Sequence, residues 1–198
     1  MHDENLPEKA IYFANHSGAA GPLTLSTYFP KYLVPWGTFQ MTGNYIVRWK
    51  YLYYVFYQQK IGYKKLKSFI LATLLGIISK VLYNGVKLIP TYPDTRLRKT
   101  ITESVANLDV NNSILIFPED STEGYQEQID AFHSGMVYLA QQYLKKRKED
   151  IPLIPLYYNK AKQKIITGKA RFLSEFDSSL SREEIADELR INLNSLTT

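Results

Sequence analysis

Apolar and polar positions along this chain group into runs that read as strands alternating with helices. Ala10-Ile11-Tyr12-Phe13-Ala14 is a short apolar run that ends at Asn15-His16-Ser17-Gly18, which predicts a buried strand entering a turn. Pro22 to Phe29 fits a short helix closed by Pro30. From Tyr45 to Tyr83 the pattern predicts two helices split near Ile61-Gly62, and Gly85 to Pro90 reads as a second strand. Asp94 is placed to cap a helix from Thr95 to about Leu108, with Ile101, Val105 and Leu108 at helical spacing. Ser113 to Phe117 is the third and clearest strand, and a polar loop follows it. Phe132 to Lys146 predicts a helix with Phe132, Met136, Leu139 and Tyr143 along one side. Pro152 to Tyr158 is a fourth strand, and Lys164–Ile166 and Ala170–Leu173 add two short ones. Ser181 and Glu184 form a capping box that opens a last amphipathic helix running through Leu193. No repeat or linker interrupts the series, so one α/β domain over residues 1–198 is expected.

Composition agrees with a globular domain and adds one asymmetry. The chain has 198 residues, 45% of them hydrophobic and 22% charged, which suits one sizeable core and excludes disordered and collagen-like classes. Its net charge of +5 is unevenly spread: from Lys9 to Pro93 there is no Asp or Glu, yet there are ten Lys or Arg. Such a cationic block suits an anionic partner, whether a membrane surface, a phosphorylated substrate or nucleic acid. Cysteine is absent, which excludes disulfides and thiolate metal sites and fits a reducing compartment. The acidic N-terminus and the shortness of the Ala10–Ala14 run do not suit a signal peptide. The longest uncharged apolar run, about Ser68 to Ile78, falls short of the ~20 residues of a simple spanning anchor.

The chemistry-bearing residues sit at the predicted strand ends. Asn15-His16 follows the first strand, with Gly21 five residues after the histidine. Gly85-Val86-Lys87-Leu88-Ile89-Pro90-Thr91 forms a second block. Phe117-Pro118-Glu119-Asp120-Ser121-Thr122-Glu123 forms a third, followed by Phe132-His133-Ser134-Gly135, and Ile151-Pro152-Leu153-Ile154-Pro155 a fourth. In order and spacing these segments resemble the lysophospholipid and glycerolipid acyltransferase family, of the 1-acylglycerol-3-phosphate acyltransferase type, over roughly residues 10–175. The resemblance implies a mixed, mostly parallel sheet flanked by helices. It implies transfer of an acyl group from acyl-CoA or acyl-carrier protein to a lipid-like hydroxyl, with no further cofactor. His16 would be the general base, and Phe117, Pro118, Glu119 and Ser121 would build the acceptor pocket.

Three positions depart from the family pattern. The aspartate that orients the histidine is Gly21, and the arginines of the second and third blocks are Thr91 and Thr122. A backbone carbonyl, Glu119 or Asp120 can stand in for the aspartate, and Lys87, Arg96 or Arg98 for the arginines. Alternatively, the acceptor lacks a phosphate. The small residues Ser17 to Pro22 leave room for backbone amides beside an oxyanion. The same framework also suits a lipid-binding or scaffold protein that has lost turnover.

Other candidates carry plainer readings. His133 at a helix start reads as structural, and His2 is a terminal residue. Asp120, Glu123 and Glu127 read as solvated loop acids, and no metal site is expected. Lys145–Lys148 suits a helix C-terminus, where cations favour the dipole. The stretch from Arg48 to Lys67 interleaves Arg48, Trp49, Lys50, Lys60, Lys64, Lys65 and Lys67 with tyrosines, directly before the apolar Phe69–Ile78. Aromatic rings and cations above aliphatic residues favour a lipid headgroup zone, although an ordinary tyrosine-rich helix pair reads the same way. Nucleic acid is not expected, because no binding motif accompanies the aromatic-basic texture. Together these features predict a cytoplasmic protein peripheral to an anionic membrane surface.

Overall fold

The computed structural model describes residues 6–18, 20–122, 124–125 and 128–197. Six strands form one sheet: β1 (Ile11–Ala14), β2 (Leu33–Thr38), β3 (Ile89–Thr91), β4 (Ser113–Ile116), β5 (Leu153–Asn159) and β6 (Lys164–Thr167). Their spatial order is β3-β2-β4-β1-β5-β6, and every pairing is parallel except the antiparallel β5–β6 edge. The helices are α1 (Ala20–Tyr28), α2 (Tyr45–Lys50), α3 (Lys65–Gly85), α4 (Leu97–Asp109), α5 (Gly135–Arg147) and α6 (Arg182–Asn194). This is a single α/β domain with a mixed, mostly parallel sheet flanked by helices.

Both faces of the sheet are covered, which is why β1 and β4 read as unbroken apolar runs. Ile11, Phe13, Val34, Ile114, Ile116 and Leu153 point toward α4, α5 and α6 and meet Val105, Leu108, Met136, Leu139 and Leu189. Tyr12, Leu33, Leu115, Ile154 and Leu156 point the other way, where Leu25 of α1 and Phe29 just after it meet them. The capping box at α6 forms as expected, Ser181 accepting from the Glu184 N–H at 3.2 Å while the Glu184 carboxylate accepts from the Ser181 N–H at 2.7 Å.

Four elements differ from the sequence pattern. Strand β2 is absent from it, because Pro35 and Gly37 break the apolar run. The sheet accommodates the proline by a change of neighbour: Leu33 to Pro35 pair with β4, and pairing with β3 begins only at Trp36. Strand β3 is confined to Ile89–Thr91 because α3 runs on to Gly85. Ala170–Leu173 forms a single bridge, Leu153 to Arg171, instead of a strand. Helix α5 starts at Gly135, because Phe132 and His133 are held in the preceding loop by a bridge to Glu119 and a bond to the Pro118 carbonyl.

Between β2 and β3 the chain makes a helical hairpin with its own core. Helix α2, capped by the Asn44 side chain on the Val47 N–H, continues as a ten-residue π-helix, Tyr51–Lys60, and α3 returns after a turn at 61–64. Met41, Leu52, Tyr57 and Ala72 form a cluster separate from the two sheet cores.

Candidate functional site

Two neighbouring strands bring the chemistry together. β1 and β4 run parallel with Phe13 opposite Ile116, so the residues just past their carboxyl ends converge at one edge of the sheet, where open α/β sheets place ligands. Asn15 fixes the exit of β1: its amide donates to the Tyr158 carbonyl at 3.2 Å and its oxygen accepts from the Tyr158 N–H at 2.7 Å. The chain then turns through left-handed Ser17 and Gly18, and the Gly21 N–H donates to the His16 carbonyl at 2.9 Å as α1 begins.

That turn explains Gly21. A Cβ at this position would collide with the His16 carbonyl oxygen and lie 2.7 Å from that of Asn15. No side chain fits there, so an aspartate at position 21 is sterically excluded by this backbone.

A carboxylate arrives from β4 instead. Glu119 is buried, and its Oε1 accepts from the His16 backbone N–H at 2.6 Å, while Oε2 lies 3.9 Å from His16 Nδ1. The second distance is too long for a hydrogen bond, and Nδ1 has no hydrogen-bond partner among the described residues. The imidazole lies against Phe117 and Tyr125, with ring centroids 4.5 and 4.8 Å away, and keeps 23% of its side-chain surface exposed. The loop after β4 doubles back on itself, with the Asp120 N–H donating to the Ala131 carbonyl and that of His133 to the Pro118 carbonyl. Asn194 and Arg190 of α6 hold its far limb by bonds to Ile129. Glu119, Asp120, Thr122, Ile129 and Asp130 line a depression of about 360 Å³, which His16 itself does not line.

The site's cation comes from the hairpin. Lys60, the last residue of the π-helix, donates from Nζ to Ser121 Oγ at 2.6 Å and sits 5.7 Å over the Tyr125 ring. Gln59 beside it donates to the Thr122 carbonyl at 3.2 Å. Burial, and then the Lys60 charge, push the His16 imidazole down to about 3. Burial pushes the Glu119 carboxyl up to about 7, against the opposing pull of the His16 N–H and Lys60. Burial also lowers the Lys60 ammonium, with Asp120 and Glu119 resisting. At neutral pH the imidazole is therefore uncharged, and Glu119 is divided between its two forms.

Of the residues singled out in the sequence, His16, Phe117, Pro118, Glu119 and Ser121 are brought together. The three basic candidates are not. Lys87 precedes β3 and so lies at the opposite, amino edge of the sheet, beside Tyr83, Asn84 and Glu103. Arg96 is at the carboxyl edge, but β3 stands three strand spacings from β1, about 14 Å. Its guanidinium pairs with Asp94 at 2.7 Å and covers the rings of Phe39 and Tyr92. Arg98 is exposed on α4. Thr91 ties β3 to β2 through a 3.0 Å bond to the Gly37 carbonyl, and Thr122 bonds Asp120. Glu123 and Glu127 lie outside the described residues, as does His2. Among the described residues, no group of three His, Asp or Glu is placed to hold a metal ion.

The set proposed for membrane contact divides. Arg48 is buried, donating to Ser79 Oγ at 3.1 Å and to the Gly43 and Gly76 carbonyls, so it pins α2 to α3 and faces no membrane. Trp49 is half-buried, bonded to Thr73 and stacked on Tyr53. Lys50, Lys64, Lys65 and Lys67 are exposed. Lys60 was read in the sequence only as one cation of the aromatic-basic stretch, with no part in the site, and Tyr125 was not singled out: its only sign was an aromatic in a polar loop.

The chain matches no protein-family model, no curated protein and no solved structure. The likeness to the glycerolipid acyltransferases rests on its own four segments.

Proposed function

We propose that the protein transfers an acyl group from a thioester, acyl-CoA or acyl-carrier protein, to a lipid-like hydroxyl at the cytoplasmic face of a membrane. The observation that carries this reading is the meeting of His16 and Glu119 past the adjacent ends of β1 and β4. Glu119 takes the part of the missing aspartate. With Nδ1 turned toward Glu119, Nε2 is left for the acceptor. The acceptor hydroxyl gives its proton to Nε2 while its oxygen attacks the thioester carbonyl; collapse of the tetrahedral oxyanion breaks the C–S bond, and the leaving thiolate takes the proton back. Ionised Glu119 supports the imidazolium formed between these events, which the resting site disfavours. Lys60 is the group available to an anionic part of the substrate.

Radiolabelled acyl transfer to a panel of lysophospholipids and other lipid hydroxyls tests this. His16→Ala should remove turnover, and Glu119→Gln should lower it by up to about 10⁴, the loss seen when a comparable triad loses its carboxylate. Turnover needs His16 neutral, which holds above about 3, and Glu119 ionised, which holds above about 7, so the rate should rise with pH through about 7. A rate that falls across that range would contradict the assignment. The 3.9 Å gap at Nδ1 favours a second reading, a lipid-binding protein without turnover. Wild type and His16→Ala equally inactive with both donors would select it.

A further inference from the structure

Helix α3 has its large and small side chains on the sides opposite to those of an ordinary cover helix. Ser68, Ala72, Gly76 and Ser79 are its buried residues. Leu66, Ile70, Leu74, Ile77, Ile78 and Val81 are all more than half exposed, from 51% to 75%. Although α3 connects two parallel strands, it packs on α2 and the π-helix, and its outer face has no neighbour among the described residues. By length and composition it is also the one described helix able to cross a membrane. We propose that α3 lies along a lipid bilayer and not across it, with this outer face sunk into one anionic leaflet.

Three observations select lipid over a second copy of the chain, and a horizontal pose over a spanning one. Close helix–helix contact favours small residues, and those of α3 are already used against Tyr45 and Trp49, whose rings would lie within 4 Å of a Cβ at Gly76. The bulky aliphatic side chains left outside are suited to acyl chains. The charges agree. No acid occurs from Lys9 to Pro93, and exposed Lys64, Lys65 and Lys67 stand at one end of the helix with exposed Lys80 toward the other. A two-fold copy would set like charges against one another with no acid to answer them, whereas anionic headgroups answer both ends. Length decides the pose. The twelve residues between Lys67 and Lys80 rise about 18 Å, against ~30 Å of hydrocarbon, so a spanning helix would carry Lys80 into the bilayer interior. Lying flat, all four lysines reach the headgroups by their flexible stems.

The mode of membrane contact goes beyond the acyl-transfer reading and does not need it: His16→Ala protein should bind vesicles like the wild type. The absence of cysteine makes the test direct, since any introduced cysteine is unique. Leu66→Cys, Leu74→Cys and Val81→Cys proteins, each labelled with an environment-sensitive dye, are mixed with vesicles of phosphatidylcholine containing phosphatidylglycerol. All three labels should shift to the blue and be quenched equally by a shallow lipid-borne quencher. Binding in flotation should weaken severalfold at high salt, and about tenfold or more in Leu74→Glu/Ile78→Glu, whose changes lie at exposed positions and spare the fold. Depths graded from residue 66 to residue 81 would overturn the horizontal pose. A dye shift that needs no vesicles and follows protein concentration would replace lipid with a second copy. Binding indifferent to phosphatidylglycerol and salt would remove the anionic leaflet.

Discussion

Helices α4 and α3 stand on either side of β3 in the chain and bury opposite kinds of side chain. α4 turns Ile101, Val105 and Leu108 to the sheet and leaves Arg98, Lys99 and Glu103 in solvent. α3 fully buries only serines, an alanine and a glycine, packs half-buried Leu71 and Leu75 on the hairpin cluster, and leaves Leu66, Ile70, Leu74, Ile77 and Ile78 outside. The first is stabilised by removing its own apolar surface from water. The second is held by close backbone approach, by the small apolar cluster of the hairpin, and by Arg48, whose guanidinium ties Ser79 and Gly76 of α3 to Gly43 on its own limb. The difference teaches that a crossover position in an α/β sheet does not by itself make a helix part of the core.

The contrast can be broken at four points, in falling order of effect. Leu108→Ala, in the core under α4, should cost about 2–5 kcal/mol in denaturant unfolding. Arg48→Met should cost about 1–3 kcal/mol, because the Gly43 and Gly76 carbonyls lose a donor; a neutral result would mean that the hairpin is held by its apolar contacts alone. Lys60→Met should join the two regions in one measurement. Removing its charge relieves a downward pull on both His16 and Glu119, so the rise in rate near pH 7 should move to higher pH by a fraction of a unit up to about one. No movement would separate the hairpin from the site. Leu74→Ala, on the outer face of α3, should change stability in solution by less than about 0.5 kcal/mol. A loss as large as that of Leu108→Ala would show that this face is covered.

The pattern of apolar residues was enough for β1, β4, β5 and the helices that bury a wide stripe, because their residues answer to one face or two faces of a single sheet. It was not enough for β2, where Pro35 is tolerated only through a change of strand neighbour that no local window shows. His16 and Glu119 were legible as residues that follow strands. Their meeting was one of three alternatives, beside a backbone carbonyl and Asp120, and the choice among them depends on β1 and β4 being neighbours. Lys60 was legible as one cation of the aromatic-basic stretch but not as part of the site, since its partner Ser121 lies 61 positions away. The basic candidates failed on geometry: Lys87 and Arg96 are close in sequence to the second block, but β3 is the far edge of the sheet. Arg48 failed because a cation at helical spacing among tyrosines looks the same whether it faces solvent or a neighbouring helix.

The bond between the His16 N–H and Glu119 joins residues 103 apart in the chain. No contiguous fragment of modest length can contain both, and the histidine turn acquires its carboxylate only when β4 docks beside β1. Contacts of such long range form late when loop closure limits the folding rate. Any partly folded species with β1 formed but β4 undocked would hold the histidine without its partner, so under the acyl-transfer proposal recovery of turnover during refolding would serve as a clock for completion of the central sheet.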